Sequence, residues 1–174
     1  QNGLRTAILE KGPRVGKKLA ATGNGRCNLT NMNATAADFG PAAAFVRPAM
    51  QRFAPQDVID VFESIGVVCE PDEAGRVYPM SNQASSVLDV LRFAIDAAGV
   101  ETKAGAPVTA VTRTKKGFMV ETEGGKDYAD KVIVACGDCA GSKLGGVNDG
   151  YTILQSLGHS RTNLYPALTQ ITSD

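Results

Sequence analysis

The sequence predicts an incomplete three-layer α/β fold: a parallel sheet with helices and an inserted antiparallel β-meander. Three observations predict it. The run Val132–Ala135 in "KVIVACG" is apolar throughout, the pattern of a strand buried on both faces of a parallel sheet. Val108–Thr114 and Phe118–Thr122 alternate across "KKG", and a second turn at Gly124-Gly125 leads to Tyr128, which reads as a meander. Upstream of that meander, apolar residues recur at helical spacing in several windows.

The elements follow in order. Leu4–Leu9 is a short apolar strand ending at Glu10, and the preceding "QNG" reads as a helix tail with Gly3 as its C-cap. "KGPRVGKKLAATG" is basic and loop-like, with one helical turn around Val15–Leu19. Ala42–Met50 forms a short helix. Pro55 suits the first turn of the next, where Val58, Val61, Phe62 and Ile65 share a face until Gly66 stops it. "VVCEPDEAGRVYPMS" reads as two strands around a turn at Asp72–Gly75. Ser81 or Asn82 caps the clearest helix, whose face is Ala84, Val87, Leu88, Leu91, Ile95 and Ala98, closed by Gly99. After the meander and the buried run, Asp149 caps a last helix through Leu157, closed by Gly158, and "LYPALTQI" is a further strand candidate. There is no internal repeat and no low-complexity linker.

Bulk properties narrow the function. At 174 residues the chain is one domain's length. Such a chain buries about 70% of its unfolded surface without staples. Formal net charge is zero, which argues against a nucleic-acid or anionic-membrane partner. No apolar run approaches the length of a membrane span. Four cysteines with no secretory signal point to a reducing, cytoplasmic setting.

Glu10 ends its strand at the carboxyl edge, where an acid in a βαβ unit can accept hydrogen bonds from both hydroxyls of an adenosine ribose. An exposed strand-end acid with no ligand is the alternative. In "ATGNGRCNLTN", Gly23 and Gly25 allow close backbone approach, and neighbouring amides can form an anion-binding nest. Arg14, Lys17, Lys18 and Arg26 surround it with positive charge, as a pyrophosphate requires, and Asn28 and Asn31 can offer amides to a polar ring edge. A plain surface turn with solvated basic residues explains the same residues. Cys136-Gly-Asp-Cys139 matches C-x-x-C, but a redox dithiol wants its first cysteine at a helix start, and this one ends a buried strand. Cys27 and Cys69 lack the paired spacing of zinc ligands, so no metal is expected. Cys27 is a thiol beside a ligand or a small residue packed under the loop, with packing preferred. His159, after Gly158, suits a helix C-terminus better than catalysis, and Tyr78 and Tyr165 read as ordinary strand aromatics.

"LEKGPRVGKKLAATGNGRCNLTN" resembles the N-terminal signature of a bacterial flavoprotein family, the NAD(P)/FAD-dependent oxidoreductases that include aminoacetone oxidase-like proteins and a bile-acid-pathway reductase. Further matches are "GRVYPMSNQASSVLDVL" at Gly75–Leu91, "VIVACGD" at Val132–Asp138, "NDGYTILQSLGH" at Asn148–His159, and "PAL" at Pro166–Leu168. The resemblance implies a glutathione-reductase-type FAD domain, with FAD as cofactor, NAD(P)H as electron donor and a small-molecule substrate. It carries over Glu10 as the ribose acid, with Lys11 and Lys18 in the same signature. It sets Thr22, Gly23, Gly25, Arg26, Cys27 and Asn28 by the flavin and pyrophosphate. Val108 would pair its backbone with the adenine edge, Ala135, Cys136 and Gly137 would pass the cofactor, and Asp149 would sit at the helix start near the active face. Cys136 departs from the usual threonine, which removes a hydroxyl, and "DCAGSKLGG" departs from the usual loop. The glycine-rich phosphate loop and the cap domain have no counterpart, so the chain reads as a piece of a longer protein. Residues 1–165 are expected to be a partial FAD-binding domain, and 166–174 the start of the strand leading to a cap. Weak FAD binding is expected without the glycine loop. No residue of this chain is nominated as acid or base. The alternative is a silent nucleotide-binding-fold remnant that self-associates through an open sheet edge.

Overall fold

In the computed structural model, residues 3–141 and 144–165 are described. β1 (Ala7–Glu10) and β5 (Glu101–Ala104) form a two-stranded sheet. The Glu101 N–H donates to Thr6 O at 3.2 Å and the Ala106 N–H to Glu10 O at 2.9 Å. Both segments advance together, so the pair is parallel, and the long connection between them is what a parallel pair requires. The chain divides into two compact units, Gln1–Ile8 with Gly16–Glu101, and Leu9–Val15 with Thr102–Asp174.

The first unit contains a 3₁₀ stretch at Leu19–Gly25, then β2 (Thr30–Asn31), α1 (Ala43–Arg52), α2 (Pro55–Ser64), β3 (Cys69–Pro71), β4 (Arg76–Pro79) and α3 (Ala84–Ala97). The helical turn expected around Val15–Leu19 lies later in the chain, because Gly16 sits at φ +87° and breaks any helix started before it. Pro55 is the first helical residue of α2, and the Asp57 carboxylate accepts the Ala54 N–H at 2.6 Å. The buried residue of α2 is Ile59, while Val61 is 58% exposed, so the face is rotated from the one the spacing suggested. α3 follows the expected face, with Ala84, Val87 and Leu88 buried. Its N-cap is Gln83 rather than Ser81 or Asn82, and no side chain caps it; Asn82 instead lies in a tight turn in which its N–H donates to Pro79 O at 2.7 Å.

β3 and β4 are the expected hairpin around Asp72–Gly75, but the sheet has a third member: β2 pairs antiparallel with β4, Thr30 opposite Val77. The core of this unit is Cys27, Val67, Ala84 and Val87, with Leu19, Leu29, Phe62 and Leu91 packed against it. Full burial of a side chain such as Val87 contributes roughly 1.5–3 kcal/mol.

The second unit holds the meander, β6 (Val108–Thr114), β7 (Gly117–Thr122) and β8 (Gly125–Ala129), in that order, and α4 (Asp149–Ser156). Val111, Val120 and Ile153 form its core, joined by Leu9, Phe118, Val132, Val134 and Leu157. The N-cap of α4 is Asn148, with Asp149 as the first helical residue. The expected buried strand at Val132–Ala135 is absent: the segment is irregular, and Ile133 is 90% exposed. Burial on both faces requires flanking strands, and among the described residues none pairs with it. Only Val132 and Val134 reach the core. Of "LYPALTQI", Leu164 and Tyr165 are exposed outside any strand, and Pro166–Leu168, with the expected cap-leading segment 166–174, lies outside the described residues.

Candidate functional site

In the first unit, the loop of the glycine-rich signature is built on left-handed backbone. Gly23, Asn24 and Gly25 lie at φ +56°, +55° and +83°, and Cys27 at +64°. A Cβ on Gly23 would stand 2.7 Å from the Asn28 nitrogen, so this position needs glycine for space as well as for φ. The turn closes on itself: the Arg26 N–H donates to Gly23 O at 3.1 Å, the Cys27 N–H to Thr22 O at 3.0 Å, and Thr22 Oγ1 to Leu19 O at 2.8 Å. The amides of Arg26 and Cys27 are therefore spent within the loop. Cys27 is fully buried and packs in the core with Val67, Ala84 and Val87. Lys18 is half-buried just before the 3₁₀ stretch, and Asn28 is exposed.

Arg26 is held by the protein. Its Nε and Nη2 donate to Asn82 Oδ1 at 2.9 and 2.6 Å, and its guanidinium carbon lies 3.9 Å above the centre of the Tyr78 ring. Tyr78 is only 7% exposed, a buried partner rather than an ordinary strand aromatic. Asn31 Oδ1 accepts the Asn33 N–H at 2.8 Å. A narrow cleft of about 150 Å³ runs between Arg26, Glu70, Asp72, Tyr78 and Asn82. The two signature blocks thus meet through Arg26, Tyr78 and Asn82. Sequence reasoning missed Tyr78 and Asn82 because more than fifty positions separate them from Arg26 and neither carries local spacing information.

In the second unit, Glu10 ends β1 at its carboxyl edge, half-buried. Its Oε1 accepts the Gly12 N–H at 2.6 Å, while Oε2 has no partner among the described residues. A Cβ on Gly12 would lie 3.1 Å from Oε1, so glycine there keeps the carboxylate open. The Gly105 N–H donates to Gly12 O at 2.8 Å and the Ala106 N–H to Glu10 O, which ties the strand end to the entrance of β6 at Val108. Lys11 and Asp149 come together at 2.8 Å, and Asp149 holds the ammonium's pKa above its ordinary value through that hydrogen bond and its charge. An acid in the first turn of α4 also suits the helix dipole. Ala135, Cys136 and Gly137 are exposed, Gly137 at φ +77°. A Cβ on Gly150 would stand 2.5 Å from Cys136 Sγ, so glycine there lets the start of α4 lie against the Cys136 turn. Both Cys136 and Cys139 are free thiols.

These contacts test the fit of a dinucleotide. The end of β1 fits, since it presents a strand-end carboxylate with one oxygen anchored by a backbone amide and the other open, an acceptor for the hydroxyls of a ribose diol. The loop at Thr22–Asn28 fits a close backbone approach but not a nest made by Arg26 and Cys27. The two groups of residues belong to different units. Among the described residues no three of His, Cys, Asp and Glu are grouped to hold a metal, and no helix is long and apolar enough to cross a membrane.

Comparison with known proteins adds the family. The HI0933-like protein Rossmann domain matches residues 1–164. The chain is 38% identical over 165 residues to the 3-dehydro-bile acid delta(4,6)-reductase of Clostridium scindens, covering 94% of this chain and 40% of that protein. It is 26% identical over 159 residues to the ribosomal RNA dihydrouridine synthase of Escherichia coli, covering 91% of this chain and 40% of that protein. The chain therefore spans 40% of the length of both relatives. Among solved structures, NikD, an amino acid oxidase of nikkomycin biosynthesis, aligns with a TM-score of 0.46 at 16% identity, over 90% of this chain and 48% of that one. Glycine oxidase from Geobacillus kaustophilus aligns with a TM-score of 0.45 at 16% identity, over 87% and 52%. With its signature blocks in order and the family match over residues 1–164, this chain belongs to the HI0933-like Rossmann-domain family.

Proposed function

We infer that this chain supplies part of the FAD site of an oxidoreductase and that Glu10 is its ribose acid. The observation that carries the reading is the Glu10 carboxylate at the end of a parallel strand, with Oε1 on the Gly12 N–H and Oε2 open. Glu10 accepts from a ribose diol; Lys11, neutralised by Asp149, steadies the start of α4 beside the Cys136 turn. Gly23 lets another group approach the loop backbone. A bound flavin supplies exchange of a hydride between NAD(P)H and a small-molecule substrate. The reductase name of the 38% identical relative favours reduction as the direction.

The test is calorimetric titration of the full chain with FAD and with ADP-ribose. Glu10→Gln removes a charged acceptor worth about 1.5–3 kcal/mol, so both affinities are expected to fall by roughly ten- to a hundredfold. Equal affinities for wild type and variant would refute the assignment.

A second reading, a remnant that self-associates, is favoured by one observation: the backbone of 131–137 makes no hydrogen bond to any other described residue, and Ile133 is exposed. Sedimentation of the purified chain tests it, a monomer at all concentrations being the outcome against it.

A further inference from the structure

Asn82 lies in neither half of the resemblance's cofactor set, yet the structure ties the glycine-rich loop to it. The residue sits in the left-handed region at φ +53°, where asparagine is among the few side-chain-bearing residues tolerated. The turn carrying it is rigid: its N–H donates to Pro79 O, Pro79 is buried at the end of β4, and α3 begins two residues later. From there Oδ1 accepts both Nε and Nη2 of Arg26. The guanidinium is pressed on the Tyr78 ring, whose Cε1 would also lie 3.4 Å from a Cβ on Gly23. Tyr78 and Asn82 therefore both hold Arg26, and Tyr78 leaves little room for a side chain at Gly23. The next residue, Cys27, has none of its surface exposed and packs in the core with Val67, Ala84 and Val87.

We propose that Asn82 is a positioning residue for the flavin loop, acting through Arg26. Its carbonyl oxygen draws the guanidinium onto Tyr78, and this clamp holds Gly23–Cys27 in the left-handed shape that closes over the Cys27 thiol. Arg26 then serves as a structural anchor, not as a free cation for the pyrophosphate. The inference rests on the reading of this loop as part of the flavin site, but the clamp itself can be observed without flavin.

Cys27 is the reporter. In the full chain the exposed Cys136 and Cys139 are expected to react quickly with a maleimide, and Cys27 only when the loop opens. Asn82→Gly keeps the left-handed backbone and removes the acceptor. Asn82→Asp keeps both, with a charged oxygen. Peptide mapping of labelled protein is expected to show Cys27 reacting about tenfold faster in Asn82→Gly, the effect of losing one charge-assisted contact on an opening equilibrium, with Asn82→Asp restoring protection. Equilibrium dialysis against FAD is expected to show weaker uptake in Asn82→Gly and recovery in Asn82→Asp. Unchanged protection of Cys27 in Asn82→Gly would overturn the clamp. Faster labelling with unchanged FAD uptake would overturn its role in the flavin site. Faster labelling in a chain whose wild type takes up no FAD would overturn the flavin reading of the loop while the clamp stands.

Discussion

Gly23 and Gly25 look equivalent in the sequence, and the structure separates them. Both have positive φ, but a Cβ at Gly25 meets only Ala20 O at 4.0 Å, whereas at Gly23 it meets the Asn28 nitrogen at 2.7 Å. Gly25→Ala is therefore expected to cost only the left-handed penalty, about 1 kcal/mol. Gly23→Ala adds a clash with backbone that cannot move aside, and a total of about 3 kcal/mol is expected. Urea unfolding of the two variants checks the order; equal midpoints would contradict it. The loop's left-handed backbone is a finding of the structure, while glycines flanking an asparagine marked a turn or close-approach loop in the sequence. Neither the left-handed Cys27 nor the pairing of Arg26 with Asn82 could be read there, because both depend on what β4 and α3 bring above the loop.

The β3–β4 hairpin is organised by one carboxylate. Asp72 accepts the Ala74 and Arg76 N–H groups at 3.0 and 2.9 Å and the Arg76 guanidinium at 2.8 Å. Desolvation pushes the Asp72 carboxyl up, but the hydrogen bonds from Arg76 and Ala74 and the charge of Arg76 outweigh it and hold its pKa below the ordinary 3.8. A carboxyl lowered by folding contributes stability above its unfolded value and loses it as the pH falls through the folded one. The urea midpoint of the wild type is thus expected to drop on acidification below about pH 3.8, and that of Asp72→Asn to drop less steeply. Parallel acid limbs would show that Asp72 contributes nothing. The hairpin was legible because "DEAG" is turn chemistry between two apolar runs. β2 was not, since a two-residue strand exists only by virtue of its partner, β4. The same dependence explains Val132–Ala135. Its composition announces a doubly buried strand, but a strand is a relation between segments, and among the described residues it has no partner to pair with.

At the scale of the whole molecule, the self-association reading places its interface at that segment. Ile133 is almost fully exposed between two core-facing valines, so it can be changed without disturbing the core. Ile133→Lys is expected to alter stability by no more than about 0.5 kcal/mol, and to shift any concentration-dependent dimer toward monomer in analytical ultracentrifugation. Persistence of the dimer would place self-association elsewhere. By itself the sequence determined the meander, the β3–β4 hairpin, the buried face of α3 and the family. All of these rest on local periodicity, turn chemistry and contiguous signature blocks. Only the tertiary structure decided that Arg26 is anchored by Tyr78 and Asn82, that Lys11 meets Asp149, and that Glu10 keeps one oxygen open. Those facts join residues from 2 to 138 positions apart, and no local pattern of residues encodes which distant side chains a folded backbone will bring within hydrogen-bonding reach.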